Sequence, residues 1–175
     1  MLSNTYPITM SNLKILVLGS LLTLFFAAYL FYPSQEATYA ASAPVEPNPD
    51  AIEFSMYKNP GCGCCTLWAE HMMKDGEFVV KEVPSPNLSE IKEEAGVPRT
   101  LSSCHTSKIE GYIVEGHVPI EDVKRLLKEK PDAIGITVPG MPIGSPGMEV
   151  TGRPADKYDV LLIKNDGTTE VFASH

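Results

Sequence analysis

No run of basic residues occurs in the 175-residue chain, and 14 Lys plus Arg face 22 Asp plus Glu, for a formal net charge of −8. Nucleic-acid binding rests on neutralising phosphates, so that class is excluded. No self-similarity of solenoid length is present either; the nearest approach is Pro-Gly-Met occurring twice, at Pro139-Gly140-Met141 and Pro146-Gly147-Met148. Cysteine is scarce, with four residues, but the number is even, so two disulfides are arithmetically open. What remains is a length and apolar content suited to one hydrophobic core with a short appendage. The acidic balance suits attraction of cations.

The appendage is at the start. Residues 15–32 carry no charge, Lys14 precedes them, and the small-residue tract Ala37-Thr38-Tyr39-Ala40-Ala41-Ser42-Ala43 follows. Residues 1–40 therefore read as an export signal cleaved after Ala40, where Thr38 and Ala40 meet the small-residue rule, or as an uncleaved N-terminal anchor, since the apolar stretch approaches the ~20 residues that span a bilayer. Either way the rest is expected outside the cytosol, in the periplasm, soluble or tethered, with the membrane reached only through this segment. Loss of residues 1–40 removes one Lys and one Glu, so the remainder keeps a charge of −8. An oxidising compartment raises the weight of disulfides for every cysteine. Residues 41–50 are Pro- and Ala-rich without periodicity and are expected to be a flexible linker, with the folded domain at 51–175.

The cysteines are unevenly placed. Gly61-Cys62-Gly63-Cys64-Cys65 holds three of the four, and Cys104 follows 39 residues after Cys65. Adjacent Cys64 and Cys65 could join only through a strained ring, and two disulfides within this loop are impossible, so cross-linking alone accounts poorly for the cluster. Any closed site must recruit Cys104 through the fold.

Alternation at Ile52, Phe54 and Met56 predicts a strand before the break at Asn59-Pro60-Gly61. Cys65, Trp68, Ala69, Met72 and Met73 recur at helical spacing and predict a helix with that buried face, ending at Asp75-Gly76. Residues 78–83 predict a second strand. Asn87 with Glu90 forms a capping-box pattern ahead of a short helix whose inner face is Leu88, Ile91 and Ala95, closed by Gly96. Residues 101–109 and 111–116 predict two strands turning at Glu110-Gly111. Pro119 opens a helix with Ile120, Val123, Leu126 and Leu127 inside. A hairpin at 160–163 and 168–172 turns on Asn165-Asp166-Gly167.

This α/β order, β-α-β-α-β-β-α with cysteines on the first strand-to-helix turn, is that of a thioredoxin-like domain, here with an added Pro/Gly/Met loop and a C-terminal β-hairpin. Cys62 and Cys65 form a Cys-x-x-Cys pair at a helix N-terminus, where backbone N–H groups and the helix dipole stabilise thiolate, so both are redox candidates. Val97-Pro98 stands where such folds carry a cis-proline, though a trans proline after a helix end is the better fit. Cys64 departs from a simple dithiol enzyme. Three sulfurs on one turn, with Gly61 and Gly63 permitting close backbone approach, make a soft donor set suited to Cu(I) or a thiolate-bridged copper cluster. Zinc competes less well, because structural zinc sites use paired two-cysteine knuckles rather than three plus one.

The stretch Tyr57-Lys58-Asn59-Pro60-Gly61-Cys62-Gly63-Cys64-Cys65 with Trp68, then Ser103-Cys104-His105-Thr106, then Gly111-Tyr112-Ile113-Val114-Glu115-Gly116-His117-Val118-Pro119, then Pro139-Gly140-Met141-Pro142-Ile143-Gly144-Ser145-Pro146-Gly147-Met148, resembles the exported metal-binding family typified by the bacterial copper-resistance protein CopG. The likeness covers nearly all of residues 51–175. It implies a thioredoxin-like domain that gathers copper on Cys62, Cys64, Cys65 and Cys104 and contributes to copper handling in the periplasm, with redox interconversion of copper and copper-efflux or redox proteins as partners. A periplasmic thiol-disulfide oxidoreductase using Cys62 and Cys65, and a non-catalytic copper buffer or chaperone, are the alternatives.

His105, Met141 and Met148 are candidate outer contacts. His105 neighbours Cys104, but strand alternation would send the two to opposite faces. The methionines are soft ligands on a loop that cannot form regular structure, and equally plausible core plugs. His117, in Gly-His-Val-Pro, reads as a turn anchor. His71 lies too far along the helix to share an ion with the cysteines. Trp68 is expected beneath the site, limiting water access. His175, at the chain end, is expected to be disordered.

Overall fold

The computed structural model describes residues 48–175; the expected signal or anchor at 1–40 and most of the expected linker lie outside the described residues. The elements run β1 (Ile52–Lys58), α1 (Gly63–Met73), β2 (Phe78–Pro84), α2 (Leu88–Glu94), a 3-10 turn (Arg99–Leu101), β3 (His105–Ile109), β4 (Tyr112–Glu115), α3 (Ile120–Glu129), β5 (Ala133–Thr137), β6 (Asp159–Lys164) and β7 (Thr169–Ser174). The expected order β-α-β-α-β-β-α is present through α3. Seven strands form one mixed sheet in the order β2-β1-β3-β4-β5-β6-β7. β1 pairs parallel with β2 and antiparallel with β3, β4 pairs parallel with β5, and the C-terminal hairpin extends the sheet antiparallel.

Period-two alternation decides what each face of this sheet holds. Phe54, Met56, Val114, Ile136, Val160 and Leu162 join Trp68 and Met72 of α1 and Ile120, Val123 and Leu126 of α3 in one buried cluster. Glu115, the next residue after Val114, points the other way and meets Lys92 of α2 at 2.5 Å. Trp68 is fully buried, with its indole N–H donating to the Val118 carbonyl at 2.8 Å. Truncation of such a side chain to Ala costs about 3–5 kcal/mol.

Several sequence expectations need correction. Met73 is 38% exposed, because the buried stripe of α1 ends at Met72. The expected capping box at Asn87 does not form: its side chain makes no cap hydrogen bond, and its backbone carbonyl accepts from Glu90 and Ile91 instead. Lys92 takes the buried position on α2 beside Leu88, drawn in by Glu115. The strand expected at 101–109 starts only at His105, because Arg99–Leu101 winds into a 3-10 turn after Pro98. Among the described residues no peptide bond is cis, so Val97-Pro98 is trans, in keeping with the better-fitting of its two readings. The turn at Glu110-Gly111 is as expected, both residues having positive φ, of 47° and 88°. β5, at Ala133–Thr137, has no counterpart among the strands the sequence pattern predicts. Nor is His175 loose: it exchanges backbone hydrogen bonds with Tyr158, stacks on its ring, and its Nε2 lies 2.7 Å from Asp122 Oδ2.

Candidate metal centre

The Cys62–Cys65 region is set by the end of β1 and the start of α1. Gly61, at φ 76°, turns the chain so that the Cys62 N–H returns to the Asn59 carbonyl at 3.2 Å. Cys62 then stands as the N-cap residue of α1, with Gly63, Cys64 and Cys65 in the first turn. That first turn carries no acidic side chain, so nothing offsets the positive end of the helix dipole at the sulfurs. Lys58, buried at the end of β1, donates to the Cys62 carbonyl at 3.3 Å and to Thr66 Oγ1 at 2.6 Å, and forms an ion pair with Glu82. Lys58 in turn holds the Glu82 carboxyl below the usual range, with a smaller contribution from the Thr66 hydroxyl.

Cys62 and Cys65 are joined as a disulfide with a Cα–Cα distance of 5.5 Å, whereas Cys64 and Cys104 are free thiols. Cys65 is fully buried; Cys62, Cys64 and Cys104 are half-buried. Cys62 Sγ and Cys64 Sγ are 3.6 Å apart, and the sulfurs of Cys62, Cys64, Cys65 and Cys104 all lie within 4.8 Å of one another. The fold therefore brings together all four cysteines singled out in the sequence, across a separation of 39 residues between Cys65 and Cys104.

Cys104 has a second set of neighbours. Its sulfur is 2.8 Å from His117 Nε2 and 3.3 Å from His105 Nδ1, and these three groups form a cluster of their own. The alternation argument that separated His105 from Cys104 fails because Cys104 sits in a bend just before β3, not in the strand. The reading of His117 as a turn anchor is half the truth. Its Nδ1 lies 2.8 Å from the Pro146 carbonyl. A carbonyl only accepts, so Nδ1 carries the proton and Nε2 presents a bare lone pair to Cys104. Burial holds His117 below its ordinary pKa, and the Cys104 thiol is pushed up to about 12 by burial first and then by the adjacent Cys64 thiol. The pair is thus a neutral thiol donating to a neutral imidazole. His105 is enclosed between Trp68, at 4.4 Å between ring centres, and His117, at 5.1 Å. Burial, then His117 and Lys92, keep it well below its ordinary pKa, and its Nε2 is buried without a hydrogen-bond partner.

The Pro/Gly/Met loop folds onto the cysteines as the sequence allowed. Ser145, Pro146 and Gly147 are buried, and the backbone of Gly147 lies against the Cys64 carbonyl and the Trp68 amide, where a side chain would come within 2.8 Å of both. The loop holds itself through Gly144 N–H to the Met148 carbonyl at 3.0 Å and Met148 N–H to the Ser145 carbonyl at 2.8 Å. Of its two methionines, Met141 is 53% exposed and Met148 half-buried. His71 is turned to a structural task, its Nε2 accepting from the Ile120 N–H at 3.3 Å.

Behind β3 a polar network anchors the Cys104 segment. Glu115, fully buried, accepts from Lys92 Nζ at 2.5 Å, the Ser103 N–H at 2.6 Å and Thr106 Oγ1 at 2.7 Å. Ser103 also donates to the Gly140 carbonyl, linking this segment to the loop. A cleft of about 830 Å³ opens on that side, with Asn59, Pro98, Arg99 and Ser103 among its walls.

Residues 101–148 match a family described only as a protein of unknown function, DUF411. No curated protein matches the chain. Two solved structures, of copper resistance protein CopG in its form 1 and form 2, each align with a TM-score of 0.67 at 39% identity, over 71% of this chain and 98% of theirs. With nearly the whole length of those structures matched at that identity, the chain belongs to the CopG family of copper resistance proteins.

Proposed function

We propose that this protein collects Cu(I) on the thiolates of Cys62, Cys64, Cys65 and Cys104 and so contributes to copper handling outside the cytosol. The convergence of four sulfurs within 4.8 Å, in a chain related to copper resistance proteins, carries this reading. Sulfur-rich donor sets select Cu(I) over harder cations, and four sulfurs this close favour bridging of several ions. A sulfur held in the Cys62–Cys65 disulfide cannot act as a thiolate ligand, so capture requires the reduced protein. The helix N-terminus then favours the charge that reduction creates on Cys62 and its neighbours. The copper is cargo. The imidazoles of His105 and His117, kept uncharged by burial and 3.3 and 2.8 Å from the Cys104 sulfur, stand where they can complete its coordination.

A second reading, thiol-disulfide exchange, is favoured by the disulfide itself: Cys62 is reachable from solvent while Cys65 is sealed, and a cleft lies nearby. Cys64→Ser separates the two. Under the copper reading, the anaerobically reduced variant loses most of its Cu(I) in competition with a chelator while still exchanging its Cys62–Cys65 disulfide. Unchanged copper retention in that variant, or sulfur-free coordination by X-ray absorption at the copper edge of the parent protein, would refute it.

A further inference from the structure

The two free thiols stand beside the disulfide, Cys104 with its proton shared toward His117 at 2.8 Å and Cys64 at the open end of the cluster. Cys64 and Cys104 are both half-buried, both unbonded, and their sulfurs lie within the same 4.8 Å. Bonding to any other cysteine is closed to them in this state. Cys62 and Cys65 are already paired, and the Cys64–Cys65 alternative is a strained vicinal ring. The gap to close between their sulfurs is at most 4.8 Å, a distance that a change of χ1 rotamer can shorten. The residues flanking Cys62 are uncrowded, since a Cβ added at Gly61 or Gly63 would meet nothing within 4 Å.

We infer that Cys64 and Cys104 form a second disulfide in the fully oxidised protein, so that the cluster gives up four electrons in two pairs. The inference rests on copper reaching these sulfurs as proposed above, and the oxidant is Cu(II). In the first step two Cu(II) ions take one electron each from the Cys62 and Cys65 thiols; the S–S bond forms, two Cu(I) ions result and two protons pass to solvent. In the second, the Cys64 and Cys104 S–H bonds break in the same way, their S–S bond forms, and two more Cu(II) become Cu(I). The state in the structure, with one disulfide and two thiols, is the halfway point. A Cys64–Cys104 bond would tie the first turn of α1 to the start of β3. Both thiols would then be withdrawn as ligands, and the newly made Cu(I) released.

The test uses the full chain, reduced and metal-free, under anaerobic conditions. It is titrated with Cu(II) in the presence of a chromogenic Cu(I) chelator, then alkylated and digested with trypsin without reduction. The expected result is four Cu(I) per protein and a cross-linked pair of peptides spanning residues 59–74 and 100–108. Two Cu(I) per protein with Cys64 and Cys104 alkylated would overturn the inference. Cys64→Ser is expected to yield two Cu(I) and no cross-link; a cross-link persisting in that variant would mean that Cys104 pairs with Cys62 or Cys65, and would also overturn it. Cu(I) binding to the reduced parent protein is measured separately. Tight binding there with only two equivalents reduced sinks the second disulfide alone, whereas absent binding sinks the copper reading itself.

Discussion

Replacing Gly147 by Ala tests whether the loop truly seals the cysteine turn. At φ +80° an Ala incurs the left-handed penalty of about 1–2 kcal/mol. Its Cβ would also lie 2.8 Å from the Cys64 carbonyl oxygen, 2.8 Å from the Trp68 amide nitrogen and 3.2 Å from the Leu67 carbonyl carbon. All three are backbone atoms of α1, so no side chain can swing away, and overpacking of this kind adds about 1–3 kcal/mol. Gly140 supplies the control within the same loop: its φ is +70°, yet nothing lies within 4 Å of its added Cβ. The Gly147→Ala variant should therefore be less stable than Gly140→Ala by about 1–3 kcal/mol, which at the usual urea sensitivity is a midpoint lower by about 1 M. The same displacement removes the Pro146 carbonyl from His117 and uncovers the Cys64 turn, so alkylation of Cys64 and Cys104 should quicken in Gly147→Ala only. Equal urea midpoints and equal alkylation rates for the two variants would refute the packing argument.

The buried Lys92–Glu115 pair predicts a strongly non-additive cycle. Glu115→Gln leaves the Lys92 ammonium buried without its counter-charge and should cost about 3–5 kcal/mol in chemical denaturation, while the double variant with Lys92→Met recovers most of it. Stability should fall in mild acid. His71, His105 and His117 all have folded-state pKa values below their ordinary 6.5, so below that pH the unfolded chain binds more protons, and stability declines until the folded values are passed. Denaturation midpoints between pH 8 and pH 5 check the slope, and His105→Gln should reduce it. Finally, Cys104, a thiol pushed up to about 12, must lose its proton to ligate. Cu(I) loading at neutral pH should release protons and tighten as pH rises, which calorimetry in buffers of differing ionisation enthalpy measures.

How much of this was legible in the sequence depends on whether local pattern or tertiary contact decides each feature. α1 and α3 were readable because Cys65, Trp68 and Met72, and Ile120, Val123 and Leu126, keep helical spacing. The C-terminal hairpin was readable from Asn165-Asp166-Gly167. β5 was not, because Gly135 interrupts the strand pattern of Ala133-Ile134-Gly135-Ile136-Thr137. The glycine is there since the Ile113 carbonyl of β4 occupies the space a side chain would need, a requirement visible only once β4 and β5 are paired. His117 was half legible. Gly-His-Val-Pro marks a turn, but its partners, Cys104 and the Pro146 carbonyl, are 13 and 29 residues away and no local period links them. The alternation that sets His105 apart from Cys104 extends β3 back over a segment that Pro98 and the 3-10 turn keep out of the strand. The cysteine set itself was legible because its density on one turn is a local fact, and only the place of Cys104 needed the fold.

The four sulfurs have unequal surroundings, and the inequality matches what the proposed chemistry demands. Cys104 is fixed from behind: its neighbour Ser103 is bonded to Glu115, and its sulfur is flanked by His105, wedged on Trp68, and by His117, anchored on Pro146. Cys65 is equally fixed, fully buried in the first turn of α1. Cys62 and Cys64, by contrast, flank Gly63, and open space surrounds Gly61 and Gly63. The sulfurs on this glycine-flanked turn are the two that change partner in the proposed chemistry, Cys62 between Cys65 and copper, and Cys64 between copper and Cys104. Stiffening that turn should leave the structure intact while slowing the interchange. Gly63→Ala is suited to this, since Gly63 is helical and its added Cβ meets nothing. It should raise stability by about 0.4–1 kcal/mol and slow Cu(II)-driven disulfide formation. Equal oxidation rates in a stabilised Gly63→Ala protein would mean that the flexibility of this turn has no part in the chemistry.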